Sequence, residues 1–142
     1  MSVSTTFTRP WTAATWTTTA ERTAVRRLRR FAGDFARTCE LPESLVDPLQ
    51  VIVSEYATNA VCHSGSPDVS LLLALRDRLL LVAVRDRGTW RHPRPRGPEA
   101  AGGRGLVLVR AYSHACGRHR SRTGTHAWAH LAVPATQPEG TR

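Results

Sequence analysis

The stretch between residues 45 and 64 constrains the fold more than any other part of the chain. Its apolar residues recur at intervals of three and four, at Leu45, Leu49, Ile52, Val53, Tyr56 and Ala60. This spacing predicts an amphipathic helix with one face in a hydrophobic core. Glu55 and Asn59 are one turn apart at the border of the apolar stripe, where a side chain can line a pocket. A pair of this kind is also common on solvated helix faces, so it needs support from the rest of the chain.

The N-terminal part of the chain predicts a strand followed by a helix. The segment is rich in Thr and aromatic residues, which favours an edge strand over roughly residues 5–17. Thr18 and Glu21 match a capping box at the start of the first helix. Asp47 and Pro48 match the N-cap and first residue of the second helix. The exposed face of the first helix carries a run of arginines, which is either a solubilising surface or a docking surface for an acidic partner.

The C-terminal half predicts two hairpins separated by a long loop and a third helix. Two apolar runs with a turn at Asp77 and Arg78 favour an antiparallel hairpin, although a helix is an alternative for so Leu-rich a segment. Residues 88–103 hold several Pro and Gly, as in a lid over a ligand. The predicted elements are strands at 69–76 and 79–86, a helix from Gly103 that stops at Gly117, and strands at about 118–122 and 125–133 that turn at Thr123 and Gly124.

Length and composition predict one globular domain. The chain has 142 residues, and its net charge of +9 comes from arginine with no lysine, which indicates a compositional bias of the source. The domain is expected over residues 20–134, after an extension and edge strand at 1–19 and before a disordered tail at 135–142. No segment reads as a signal peptide or a membrane span, so a cytoplasmic protein without a membrane partner is expected. Three scattered cysteines argue against a disulfide framework.

Polar and glycine residues far apart in the sequence could together form a nucleotide-binding site. Asp86 ends a predicted buried strand, where its carboxylate could accept a hydrogen bond from a purine amine, and Gly88 lets the backbone approach the ring. Gly103 and Gly105 open a helix, whose first amide groups can bind phosphates. Asn59 could hold a divalent cation between those phosphates. No P-loop motif is present.

Four motifs in this order resemble those of a known family. SEYATNAVCHS (54–64), VRDRG (84–88), GGRGL (102–106) and GTHAW (124–128) are similar to the N box, the two glycine boxes and the final Gly-Thr of the GHKL ATPase superfamily. Within it, the chain most resembles the histidine-kinase-like ATPase domains of anti-sigma-factor serine/threonine kinases. The resemblance covers about residues 20–133. It implies an α+β fold, a two-layer α/β sandwich in which three helices cover one face of a mostly antiparallel sheet, and the predicted element order agrees with it.

The resemblance also implies roles for individual residues. Glu55 would be the catalytic base and Asn59 the Mg2+ ligand, and Asp86 would bind the adenine amine. The remaining nucleotide-binding positions would be Gly88, Gly103, Arg104, Gly105, Leu106 and Thr125. Where the first glycine box usually has a second glycine, this chain has Trp90, a departure that bears on the lid and on turnover.

The leading functional hypothesis is an anti-sigma-factor kinase that works by partner switching. It would bind Mg-ATP, hold a sigma factor inactive and phosphorylate a small antagonist protein. A homodimer of this chain is compatible with that role. A second hypothesis keeps the ATP site but not the kinase, which leaves a nucleotide-gated protein that sequesters a partner. A third, a basic nucleic-acid binder, is supported by the charge alone and predicts salt-dependent DNA affinity. The first two hypotheses involve no nucleic acid.

Overall fold

The computed structural model describes residues 10–89 and 103–135, and for residues 103–105 the backbone only. This part of the chain contains five strands and three helices. In chain order they are β1 (Thr12–Thr19), α1 (Arg22–Thr38), α2 (Glu43–His63), β2 (Asp68–Arg76), β3 (Leu79–Asp86), α3 (Gly103–Tyr112), β4 (Ala115–Ser121) and β5 (Gly124–Ala132).

The five strands form one antiparallel sheet in the order β1-β2-β3-β5-β4. Alternate residues of each strand point to opposite faces. On one face, residues of β2, β3 and β5 are buried and join the core with residues of all three helices, among them Leu71 and Val82 of the sheet and Leu28, Ile52 and Val109 of the helices. The fold is therefore an α+β two-layer sandwich, which confirms the predicted fold class.

The opposite face of the sheet has no helix of the described chain over it, yet it is partly apolar. Leu72, Leu81 and Trp128 are half-buried there. Trp128 lies over Gly117 of the neighbouring strand, and a Cβ atom at position 117 would be 2.7 Å from the indole ring. Strands β4 and β5 thus fit together because one carries a large ring and the other carries no side chain at the paired position.

The first helix begins later than the capping box predicts. Thr18 belongs to β1, where it pairs with Val69, so the predicted capping box is wrong. Glu21 is the N-cap residue of α1 and makes no side-chain cap hydrogen bond. β1 extends two residues beyond the predicted end because the ladder with β2 continues to Asp68. The arginine side chains of α1 are all exposed, at positions Arg22, Arg26, Arg27, Arg29, Arg30 and Arg37.

The second helix begins at Glu43, four residues before the predicted cap, and Pro48 lies inside it. Leu45 and Val46 are buried, so the apolar stripe extends into the additional first turn. Proline removes one backbone donor, so the Ser44 carbonyl lacks its partner within the helix, but this is a single hydrogen bond near the start of a 21-residue helix. Burial of the first turn therefore outweighs the proline signal.

The third helix ends at Tyr112 rather than near residue 116, and the last hairpin is displaced accordingly. Pairing with β5 begins at Ala115, and the His114 amide donates to the His130 carbonyl at 2.7 Å. The turn residues are Arg122 and Thr123, not Thr123 and Gly124, because Ser121 pairs with Gly124. The hairpin of β2 and β3 turns at Asp77 and Arg78 as predicted, which excludes the helical alternative.

Several predictions fall outside the described residues. These are the start of the N-terminal strand before residue 10, the lid between residues 90 and 102 with its Trp90, and the tail after residue 135. Among the described helices, none combines the length and apolar character that crossing a membrane would require.

Candidate functional site

Four elements meet at a cavity between the helix layer and the sheet. Its enclosed space is about 10 Å3, room for about one water molecule, and the total rises to about 240 Å3 when the open mouth is included. The lining residues come from α2, β3, β4 and β5 and are Tyr56, Asn59, Ala60, Val84, Asp86, Arg118, Thr125 and Ala127. Three of the predicted site residues, Asn59, Asp86 and Thr125, are thus brought together from positions up to 66 residues apart.

Asp86 is the most buried acid of the site, with 3% of its surface exposed. Its Oδ1 accepts hydrogen bonds from the backbone amides of Gly88 at 3.0 Å and Thr125 at 3.3 Å. A buried carboxylate is stable only when such donors compensate for its lost hydration. Asp86 therefore organises the ends of β3 and β5 in addition to facing the cavity.

Gly88 is required by a contact with the protein itself. A Cβ atom at this position would lie 1.9 Å from the carbonyl oxygen of Ser64, at the C-cap of α2. Sequence reasoning assigned the absent side chain to the approach of a ligand ring. The structure instead gives a packing reason for the glycine, whereas a contact with adenine stays a prediction.

Gly124 has the same role on the other side of Asp86. Its φ of +146° lies in the region that favours glycine, and a Cβ atom would be 1.9 Å from the carbonyl oxygen of Asp86. This close approach brings the amide of Thr125, which is 4% exposed, to the Asp86 carboxylate. The predicted Gly-Thr motif thus lies directly at the cavity.

The segment after Asp86 is held by two further interactions. Ser66 Oγ accepts a hydrogen bond from the Arg87 amide at 3.0 Å. The Arg87 guanidinium donates to the Asp68 carboxylate at 3.0 and 2.6 Å, and this hydrogen bonding lowers the pKa of Asp68. Both contacts fix the direction in which the chain leaves β3.

Asn59 lines the cavity, whereas Glu55 does not. Glu55 is half-buried and lies one turn earlier on α2. Four residues of helix correspond to about 6 Å along the axis. The two residues can therefore serve different parts of a long ligand, with Asn59 nearer to Asp86.

The start of α3 supplies backbone donors. Gly103, Arg104 and Gly105 form its first turn, as predicted, and the first amide groups of a helix have no partner within it. Leu106 follows and is half-buried against the core, so it positions the helix. The exposed face of α3 is apolar at Val107, Leu108 and Tyr112.

Sequence reasoning missed the two cavity residues Tyr56 and Arg118, which carry polar groups, besides three apolar ones. Tyr56 was assigned to the core only, but its hydroxyl donates to the Trp128 carbonyl at 2.7 Å and its ring lines the cavity. Burial raises the pKa of Tyr56 to about 12. Arg118 of β4 was not considered, because only the register of β4 with β5 shows that its side chain points to the helix layer. Desolvation lowers the pKa of Arg118, and the nearby Arg120 charge acts in the same direction.

The oxygen atoms of the cavity residues suit a metal ion only if a bound molecule such as a nucleotide supplies further ligands. No group of three or more His, Cys, Asp or Glu side chains that could hold a metal occurs in the described chain. Mg2+ commonly binds proteins through one or two oxygen ligands and completes its shell with water and substrate phosphates. The amide oxygen of Asn59 at the cavity fits that mode of binding.

Taken together, the sandwich and its cavity define a nucleotide-binding domain of the histidine-kinase-like type. The family model of the histidine kinase-like ATPase domain matches residues 18–131. The chain belongs to this family, and ATP is the ligand that membership implies.

Comparison with solved structures supports the same fold. The chain is similar to the crystal structure of the RsbU and RsbW domains of Rv1364c from Mycobacterium tuberculosis, with a TM-score of 0.73 and 21% sequence identity. The match covers 92% of this chain and 35% of that one, so this chain spans about a third of the matched length. No curated protein sequence matches.

Proposed function

We propose that this chain is a Mg-ATP-binding serine/threonine protein kinase of the anti-sigma-factor type, which regulates transcription by partner switching. The observation that carries the proposal is the meeting of Asn59, Asp86 and Thr125 at one cavity. These residues match three of the four motifs of the family, and the fourth motif begins α3. The structural similarity to a protein with an RsbW domain supports a role in partner switching.

The residues divide into a base-binding end and a phosphate end. Asp86 would accept a hydrogen bond from the adenine amine, with Thr125 and Gly88 holding the carboxylate in place. The amide groups of the first turn of α3 would bind the phosphates. Asn59 would hold Mg2+ through its side-chain oxygen, and the bound ion would neutralise charge on the phosphates.

Glu55 would act as the base in phosphoryl transfer. The hydroxyl oxygen of a serine or threonine on the antagonist protein attacks the γ-phosphorus, the bond to the β–γ bridging oxygen breaks, and ADP leaves. Glu55 accepts the hydroxyl proton. Its position one turn from Asn59 and outside the cavity is compatible with a role away from the base. The protein contributes mainly by positioning the reactants.

A non-catalytic regulator is the second candidate, favoured by one observation. Glu55 does not line the cavity, so ATP could bind there without contact to this carboxylate. Such a protein would sequester its partner in response to nucleotide and transfer no phosphate. Of the proposed partners, a sigma factor and a small phosphoacceptor antagonist, such a protein would need only one that it binds and releases.

Labelled ATP and candidate antagonist proteins distinguish these two functions. A kinase transfers the γ-phosphate to serine or threonine of one antagonist, and Glu55→Gln abolishes transfer while it retains ATP affinity. Glu43→Gln, an exposed glutamate at the start of the same helix, is the matched control and should transfer normally. ATP binding without a labelled partner would favour the regulator, and equal transfer by Glu55→Gln would refute the assigned base.

A further inference from the structure

Arg118 introduces a positive charge into the cavity, and none of the four family motifs includes it. The residue pairs with Ala127 and its side chain lines the cavity together with that of Asp86. It is half-buried although it belongs to β4, a strand at the edge of the sheet. Burial of a guanidinium costs free energy unless polar groups compensate it. The charge of Asp86 offsets part of this cost, and a guanidinium has five N–H donors, enough to serve both the protein and a ligand in the cavity.

The surroundings of Arg118 are those of a ring rather than of phosphates. Ala60, Val84 and Ala127 give the cavity apolar walls. Among the described residues, none of α3 lines it, whereas the first turn of α3 is the proposed phosphate site. Arg118 thus lies at the end of the site where a base would bind.

The pairing of β3, β5 and β4 places the donor Arg118 and the acceptor Asp86 at different depths of this cavity. Arg120, Thr125 and Asp86 form one row across β4, β5 and β3. Arg118, Ala127 and Val84 form the next row on the same face. Two residues along a strand correspond to about 7 Å, and the flexible arginine side chain bridges part of this distance. The edge of adenine also presents both kinds of group, a donor at its exocyclic amine and acceptors at its ring nitrogens.

We propose that Arg118 is a specificity-determining residue, whose guanidinium donates a hydrogen bond to one of the two adenine ring nitrogens that flank the amine, N1 or N7, while Asp86 accepts one from the amine. The proposal rests on the proposed function, because an adenine nucleotide must occupy the cavity. Guanine fits this arrangement poorly, since its carbonyl oxygen would replace the amine that Asp86 accepts from. Arg118 and Asp86 together would then select adenine.

Calorimetric titration of the full chain tests the contact, with ATP, 1-deaza-ATP, 7-deaza-ATP and adenosine as ligands. The wild type is expected to bind one of the two deaza analogues about tenfold more weakly than ATP, as for the loss of a hydrogen bond to a charged group. Arg118→Met retains the length of the side chain but not the donor. It should bind ATP about tenfold more weakly, bind that analogue as weakly as ATP, and lose affinity for adenosine as well.

Arg120→Met is the matched control, because Arg120 is an exposed arginine of the same strand and does not line the cavity. It should still distinguish ATP from the deaza analogue. If Arg118→Met fails to fold, the comparison of analogues on the wild type still decides, since equal affinity for ATP and both analogues refutes a ring contact. Unchanged ATP affinity in Arg118→Met also refutes it.

Two further outcomes separate other causes. A loss of ATP affinity without a loss for adenosine would assign Arg118 to the phosphates and overturn the proposal. An equal loss for ATP and both analogues would indicate a structural role only. If the wild type fails to bind ATP at millimolar concentration, the proposed function fails, and this inference fails with it. If ATP binds equally well to the wild type and Arg118→Met, the role of Arg118 is refuted while the proposed function stands.

Discussion

The backbone of Gly88 lies directly against the carbonyl group of Ser64, where a Cβ atom would be only 1.9 Å from the oxygen. Ser64 ends the helix that carries Asn59, and Gly88 follows the strand that carries Asp86. This contact therefore determines how closely the two polar residues of the cavity approach each other. Backbone atoms cannot move aside as a flexible side chain can.

Gly88→Ala is expected to lower the free energy of unfolding by about 2 kcal/mol or more, because the methyl group forces the two elements apart. Urea denaturation measures the loss. Gly65→Ala is the control, since its added Cβ meets no atom within 4 Å and only the φ of +67° is unfavourable, at about 1 kcal/mol. Equal losses in the two variants would show that the Ser64 contact is not limiting.

Asp86→Ala and Asp86→Asn should separate structure from ligand binding. Alanine leaves the amides of Gly88 and Thr125 without their acceptor, at a cost of about 2–4 kcal/mol in the free energy of unfolding. Asparagine retains an acceptor oxygen, so its loss should be under about 1 kcal/mol, whereas its affinity for ATP falls. Thermal unfolding and calorimetric titration give the two quantities. A stable Asp86→Ala would contradict the organising role of the carboxylate.

Asn59→Ala should weaken ATP binding only when Mg2+ is present. The side-chain oxygen is the proposed link between the protein and the ion, so we expect about a tenfold loss of affinity in Mg2+ and no difference in EDTA. Thr58→Ala, an exposed neighbour on the same helix, should bind as the wild type does. If the loss is the same with and without Mg2+, Asn59 contacts the nucleotide rather than the ion.

Tyr56→Phe should change both the stability and its dependence on pH. Removal of the hydroxyl takes a hydrogen bond from the Trp128 carbonyl, worth about 1 kcal/mol at neutral pH. The folded pKa of about 12 exceeds the ordinary value of 10.0. The unfolded chain therefore loses the proton first, and this contribution to stability is complete below pH 10 and declines toward pH 12. Denaturation of both proteins across this range should show the extra decline in the wild type alone, and parallel curves would exclude the shift.

Much of the fold follows from local patterns in the sequence. The spacing around Ile52 and the alternation in β2 and β3 predict the central helix and hairpin, because burial is regular there. The boundaries failed where tertiary contacts outweigh a local signal. Buried Leu45 extends α2 past the Pro48 signal, and pairing with β5 converts the predicted end of α3 into β4.

The site was predictable only where a motif and an element coincide. Asn59, Asp86 and Thr125 were predicted from motifs that resemble those of the family, and the structure brings them to one cavity. Arg118 was not, since which face of an edge strand points inward depends on its register. The role of Gly88 was assigned to a ligand because no pattern in the sequence indicates that Ser64 lies beside it.

The fit of Trp128 over Gly117 has a consequence for evolution. Since the ring occupies the space of a missing side chain, the two positions share one volume rather than each having its own. In descendants of this gene, a large side chain should therefore occur at position 117 or at position 128, but not at both. Such compensating changes would leave a signature of coupled substitution on the face of the sheet opposite the cavity.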